Sequence, residues 1–226
     1  REALVDYERV GGKIHAEDFR LGPFHTPFPG MVRKAAVLAY RHITRDTDIE
    51  DELEADIGRQ PRPEAFDGDG AYMEALSEYT DALKETDRYQ EWYARTIDPT
   101  LDISRRVGNW YTGSVHVARV SGLKSLAEAG EDAVGHRLLV GSYGSGAQAE
   151  IHVETVQENW LEEIEALNID EQLESRYELS FEEYEDVHDA HNHDEESAVE
   201  EFTTPDSEFV FDGWGRMGER KYRFVE

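Results

Sequence analysis

Apolar residues near the start of the chain change their spacing at a cluster of prolines. Phe19 and Leu21 stand two apart, as on one face of a strand, and lead into Gly22-Pro23-Phe24-His25-Thr26-Pro27-Phe28-Pro29. Beyond it Met31, Val32, Ala35, Ala36, Leu38 and Ala39 recur at helical spacing, with Arg33, Lys34 and Arg41 on other faces. Asp18 to His42 therefore reads as strand, turn and helix, the helix starting near Pro29 or Gly30 because proline fits the first helical turn. Arg45 to Gly70 is acidic, is broken by Pro61, Pro63 and glycines, and predicts a surface excursion. Helical spacing returns from Met73 to Thr96 through Leu76, Tyr79, Leu83, Tyr89, Trp92 and Tyr93.

The least polar stretch is Asp102 to Val156. Val107-Gly108-Asn109-Trp110-Tyr111-Thr112-Gly113-Ser114 predicts a tight turn. Val115 to Ala129 follows as a helix with small and apolar residues on several sides, the pattern of a buried helix. His136 to Val140 predicts a strand, Gly141-Ser142-Tyr143-Gly144-Ser145-Gly146 a glycine turn, and Ala147 to Val156 a second strand. From Glu150 to Glu201 there are twenty acids and a single base, Arg176, which predicts exposed helix and loop. Phe209-Val210-Phe211 and Tyr222-Arg223-Phe224-Val225 predict a closing hairpin across Gly213-Trp214-Gly215. The pattern is that of an α/β protein without internal repeats.

Composition changes this picture in one respect. The 226 residues carry 51 Asp plus Glu against 23 Lys plus Arg, a formal charge of −28, with five lysines to eighteen arginines and no cysteine. Low hydropathy with high charge is often a mark of disorder, but 11% aromatic residues and compact apolar segments argue for a folded core. An acidic, lysine-poor surface is then read as adaptation to concentrated salt, where a Debye length of roughly 3 Å at about 1 M mutes self-repulsion. Acidity also disfavours nucleic-acid partners, since phosphate binding needs cationic side chains to replace counterions. The missing cysteine excludes a disulfide scaffold, a thiolate metal site and a cysteine nucleophile within this chain. No apolar run approaches ~20 residues, and no signal-peptide pattern is found. The expectation is a cytoplasmic protein without membrane partners. The chain opens at Arg1 rather than Met, which suggests a processed or partial product.

Four clusters could carry chemistry. His25 sits at a strand–helix junction between two aromatics, where a helix amino terminus favours a neutral imidazole able to donate or accept a proton; it could equally pack in a Pro-aromatic turn. The glycine run 141–146 resembles a phosphate loop, but a strand rather than a helix follows it, so close backbone approach to a ligand or strand is the better reading. Asn109 could form its turn or aim an amide at a substrate carbonyl, and local sequence does not choose. His188, His191 and His193 lie among Asp186, Asp189, Asp194, Glu195 and Glu196, and read as a solvated acidic loop rather than a metal site.

Three separated blocks acquire a joint meaning. Gly22-Pro23-Phe24-His25-Thr26-Pro27-Phe28 with Met31-Val32-Arg33-Lys34-Ala35, then Gly108-Asn109-Trp110-Tyr111-Thr112-Gly113-Ser114, then Ser142-Tyr143-Gly144-Ser145-Gly146 resemble the hydroxymethylglutaryl-CoA synthases in wording, order and spacing. The resemblance implies the carboxyl-terminal half of a thiolase-like fold, a mixed sheet with buried and covering helices. Residues 1–226 would form this half, with acidic excursions at 45–100 and 157–205. That family condenses acetyl-CoA with acetoacetyl-CoA in the mevalonate route. A cysteine takes the acetyl group, a glutamate removes its methyl proton, and a histidine in the block matched by His25 polarises the acetoacetyl carbonyl and can protonate the alkoxide.

The same resemblance places Asn109 and Ser145 on the acetoacetyl group or its thioester. The cysteine and glutamate belong to the family's amino-terminal half, of which this chain shows neither block. It implies that half as a partner, a homodimer of the complete enzyme, acetyl-CoA and acetoacetyl-CoA as substrates, and neither cofactor nor metal. Where the family often has a lysine five residues after the histidine, this sequence has Gly30; Arg33 and Lys34, one turn on, are expected to meet the CoA phosphates. The block around His25 disfavours a ketoacyl synthase or a thiolase. A non-catalytic acyl-CoA-binding or scaffold half stays open.

Overall fold

The structure is a computed structural model that describes residues 2–144, 148–192, 209–214 and 220–224. The chain divides into two compact units, residues 1–167 and 168–226. The first opens with α1 (Glu2–Gly11), α2 (Pro29–Ile43), α3 (Asp48–Ile57), α4 (Asp69–Lys84) and α5 (Asp87–Thr96). It continues with α6 (Asp102–Val107) and α7 (Ser114–Glu128), then the strands β1 (Arg137–Gly144) and β2 (Gln148–Thr155), and closes on α8 (Trp160–Ala166). Helix α2 begins where the proline places it, with Phe28 as an extended N-cap and Pro29 in the first turn.

Strands β1 and β2 pair antiparallel from Arg137 opposite Thr155 to Gly144 opposite Gln148. The extended segment from Phe19 to His25 runs parallel along the other edge of β1, through bridges of Leu21 to Leu138 and Phe24 to Gly141. Its hydrogen bonds alternate in direction: Arg20 N–H to Arg137 O (2.9 Å), Leu139 N–H to Leu21 O (3.0 Å), Gly141 N–H to Pro23 O (3.1 Å) and His25 N–H to Gly141 O (2.8 Å). The small sheet is thus mixed, and side-chain alternation along it separates two cores. Leu139 joins Phe19, Phe24 and the buried faces of α2 and α5, whereas Leu138, Val140 and Leu21 join Val115 and Leu126 of α7 and Trp160 of α8. Gly122 lets α7 approach closely, since a Cβ there would lie 2.8 Å from Leu21 Cδ1.

Two expectations are corrected. The stretch 45–100 is not a surface excursion. Leu53 of α3, Tyr79 and Leu83 of α4, and Tyr89 and Trp92 of α5 are buried in the core shared with α2, and most of their acids occupy the outer faces. Gly141 to Gly144 is not a turn either: it continues β1 in register with β2. In the acidic segment after β2, Trp160 is buried and the charged residues of α8 are exposed or partly so.

The second unit contains α9 (Ile169–Glu174), α10 (Phe181–Asn192) and the antiparallel pair β3 (Phe209–Trp214) and β4 (Arg220–Phe224), with a register irregularity between Phe211 and Gly213. Phe209 to Phe211 and Tyr222 to Phe224 pair as predicted, but Gly213 and Trp214 continue β3 instead of forming the crossing, and Gly215 and Val225 lie outside the described residues. His188 and His191 lie on α10 rather than in a loop, and His193 lies outside the described residues. No helix among the described residues is long and apolar enough to cross a membrane.

Candidate active site

His25 is held by three parts of the first unit. Its backbone N–H donates to Gly141 O on β1 at 2.8 Å. Its ring stands edge-on to Tyr143 of the same strand, centroids 4.8 Å apart at 80°. Its Nδ1 lies 2.8 Å from Ser114 Oγ at the first residue of α7. The ring is partly buried, and that desolvation pushes its pKa below the ordinary 6.5, so the neutral imidazole prevails at pH 7. The proline-rich block thus acts through its extended half, which pairs with β1 and delivers His25 just ahead of α2. Gly141 is required here because a Cβ would lie 2.7 Å from the Phe24 ring.

The loop before α7 is built on unusual backbone. Gly108 and Tyr111 both take left-handed conformations, with φ of 78° and 49°. Such a φ strains an aromatic residue, and Asn109 supports it by accepting the Tyr111 N–H through Oδ1 at 2.7 Å. Asn109 thus serves as a turn-former, its amide oxygen taken by Tyr111. Tyr111 is 75% exposed and Trp110 half exposed. Tyr143 donates its hydroxyl to Met31 Sδ in the first turn of α2 at 2.8 Å, joining the strand end to the helix start.

The structure therefore brings together blocks more than eighty residues apart in sequence: His25 with Ser114, and His25 with Gly141 and Tyr143. Ser145 lies outside the described residues. Arg33 and Lys34 are exposed on α2. Arg33 lies near Tyr93 of α5, and that neighbour raises the guanidinium's pKa. Among the described residues no group of histidines and carboxylates is arranged to hold a metal ion. Ser114 is the residue that sequence reasoning missed as part of the site. Its partner lies 89 positions away, and the only local signal is a serine after glycine at a helix start.

A family model described as "Hydroxymethylglutaryl-coenzyme A synthase C terminal" matches residues 6–213. Over all 226 residues the chain is 64% identical to the hydroxymethylglutaryl-CoA synthase of Haloferax volcanii, covering 51% of that protein. It is 31% identical to hydroxymethylglutaryl-CoA synthase A of Dictyostelium discoideum over 148 residues, 63% of this chain and 28% of that protein. The chain thus spans about half the length of the first of these relatives and less of the second. Among solved structures, PksG, an HMG-CoA synthase from Bacillus subtilis, superposes with a TM-score of 0.67 at 20% identity, over 99% of this chain and 48% of that one. MvaS in complex with 3-hydroxy-3-methylglutaryl coenzyme A gives 0.66 at 23% identity, over 98% and 46%. These structures show a shared thiolase-like fold. Because the family match runs through nearly the whole sequence, the chain belongs to the hydroxymethylglutaryl-coenzyme A synthase C-terminal family.

Proposed function

We propose that this chain supplies the acetoacetyl-CoA side of a hydroxymethylglutaryl-CoA synthase, an acyltransferase that condenses acetyl-CoA with acetoacetyl-CoA. The observation that carries the reading is the meeting of the three family blocks around a neutral, partly buried His25. An imidazole N–H directed at the ketone of acetoacetyl-CoA polarises it and stabilises the alkoxide as the carbon–carbon bond forms. The Asn109 amide NH2 is suited to orient the thioester carbonyl, with its oxygen already committed to Tyr111. Ser145 is assigned to the same substrate. Lys34, with Arg33 beside it, is assigned to the CoA phosphates. The cysteine that carries the acetyl group and the glutamate that makes its carbanion come from an amino-terminal half. Both substrates bring their own CoA, so the chemistry asks for no further cofactor. The complete enzyme is read as a cytoplasmic homodimer serving the mevalonate route. High identity to a Haloferax protein and the −28 charge support its working in concentrated salt.

The test is to mix the chain in molar KCl with the cysteine-bearing half of the Haloferax relative, acetyl-CoA and acetoacetyl-CoA, and to detect product by mass spectrometry. Product should form only when both halves are present, and the chain alone should gain no acetyl group, having no thiol to acylate. A stoichiometric acetyl adduct on a serine of the isolated chain would overturn the assigned chemistry. Binding of acetoacetyl-CoA without any turnover would favour a scaffold half.

A further inference from the structure

We infer that Ser114 is a positioning residue that fixes the tautomer of His25, so that the ring presents Nε2–H to the substrate; this rests on the role of His25 proposed above. Ser114 Oγ has one proton to give and two lone pairs. It accepts the backbone N–H of Thr26 at 3.0 Å and lies 2.8 Å from His25 Nδ1. Ser114 is fully buried, so its proton needs a protein acceptor, and among the described residues Nδ1 is the one paired with it. Were Nδ1 protonated instead, two donors would converge on one oxygen and the hydroxyl proton would be buried without a partner, a costly defect. The consistent arrangement is therefore Thr26 N–H to Ser114 Oγ, Ser114 O–H to His25 Nδ1, and the ring proton on Nε2.

Among the described residues the neighbouring groups leave this arrangement uncontested. The Thr26 hydroxyl donates to Phe24 O at 2.7 Å and does not compete for Ser114. From β1 the ring faces Tyr143, whose hydroxyl is turned to Met31 Sδ. From α7 it faces Ser114. One hydroxyl at the start of α7 thus holds both the ring of His25 and the peptide that follows it. The fold thus ties the start of α7 to the ring of His25 through one side chain. An oxygen that becomes an alkoxide needs a donor; the other tautomer would offer it a lone pair.

Nitrogen-15 NMR of the chain labelled in its histidine rings, at neutral pH in molar KCl, tests the inference without turnover. His25 is assigned by the signals lost in His25→Asn. Nδ1 should resonate as an unprotonated, hydrogen-bonded nitrogen and Nε2 as a protonated one. Ser114→Ala should move both toward the mixed-tautomer values of exposed histidines, and Ser114→Thr should restore them. In the reconstituted enzyme, Ser114→Ala should lower kcat for condensation by about 10- to 100-fold, the loss seen when the partner that orients a metal-bound imidazole is removed. KM for acetoacetyl-CoA and acetylation of the partner's cysteine should change little. A protonated Nδ1 in the wild type, or an unchanged tautomer in a folded Ser114→Ala, overturns the inference. If Ser114→Ala does not fold, the wild-type spectrum decides alone. If reconstitution yields no turnover while the spectrum is as expected, the functional reading fails and the tautomer lock stands.

Discussion

Replacing Gly141 with alanine should damage the site through a single methyl group that meets the ring of Phe24, the residue before His25. The added Cβ would lie 2.7 Å from Phe24 Cδ1 and 3.1 Å from Cε1. That is about 1 Å inside the ~3.5–4.0 Å at which carbon atoms rest. The ring has little space to yield, since Phe24 is 8% exposed and belongs to the core shared with α2 and Leu139. The backbone does not object, because Gly141 is not in the left-handed region. The conflict is purely one of packing, and overpacking of this kind costs about 1–3 kcal/mol of stability. Relief by moving Phe24 also moves its neighbour, His25, whose N–H is bonded to Gly141 O. A displacement of about 1 Å at a reacting group can cost on the order of 100-fold in rate. Denaturant unfolding of the chain and turnover of the reconstituted enzyme are the assays. Condensation should fall by more than any lost folded fraction explains, with acetylation of the partner's cysteine preserved. Gly141→Ala with wild-type stability and wild-type turnover would refute the claim that this contact places His25.

Two further outcomes are expected. The melting temperature of the chain should rise along a potassium chloride series, because screening relieves repulsion within a charge of −28, and each ~1 kcal/mol recovered raises it by about 2–4 °C; a melting temperature indifferent to salt would contradict the adaptation reading. In an NMR titration the His25 ring should show its midpoint below 6.5, since burial disfavours the imidazolium. Between that midpoint and 6.5 the unfolded chain binds more protons than the folded one, so stability from this group falls as pH drops through the window and is constant above it. A midpoint above 6.5 would contradict the burial argument.

The sequence disclosed those parts of the fold whose signals are local. Pro29 marked the start of α2, the alternation from His136 onward marked β1 and β2, and the small residues after Ser114 marked a helix packed closely on its neighbours. It misled where composition outweighed periodicity. The acids between 45 and 100 suggested a solvated excursion, yet Leu53, Leu83 and Trp92 recur at positions that each helix turns inward. Glycines at 141 and 144 read as a turn, although Gly141 serves the close packing of Phe24 within a strand. Local sequence left His25 and Asn109 open between a structural and a chemical role, and only the resemblance across three separated blocks singled them out. The support of the site was not legible. The contact of His25 with Ser114 joins positions 89 residues apart, and only the folded chain brings them together.

The central claim is that His25 acts on the second substrate and not on the first. The measurement that tests it most directly separates the two half-reactions in the reconstituted enzyme, with His25→Ala compared to wild type. Acetylation of the partner's cysteine should proceed nearly as before. Condensation with acetoacetyl-CoA should slow by ~100- to 1,000-fold, the loss of one positioned donor worth about 2.7–4 kcal/mol of barrier. Loss of acetylation in His25→Ala, with condensation of pre-acetylated enzyme spared, would contradict it.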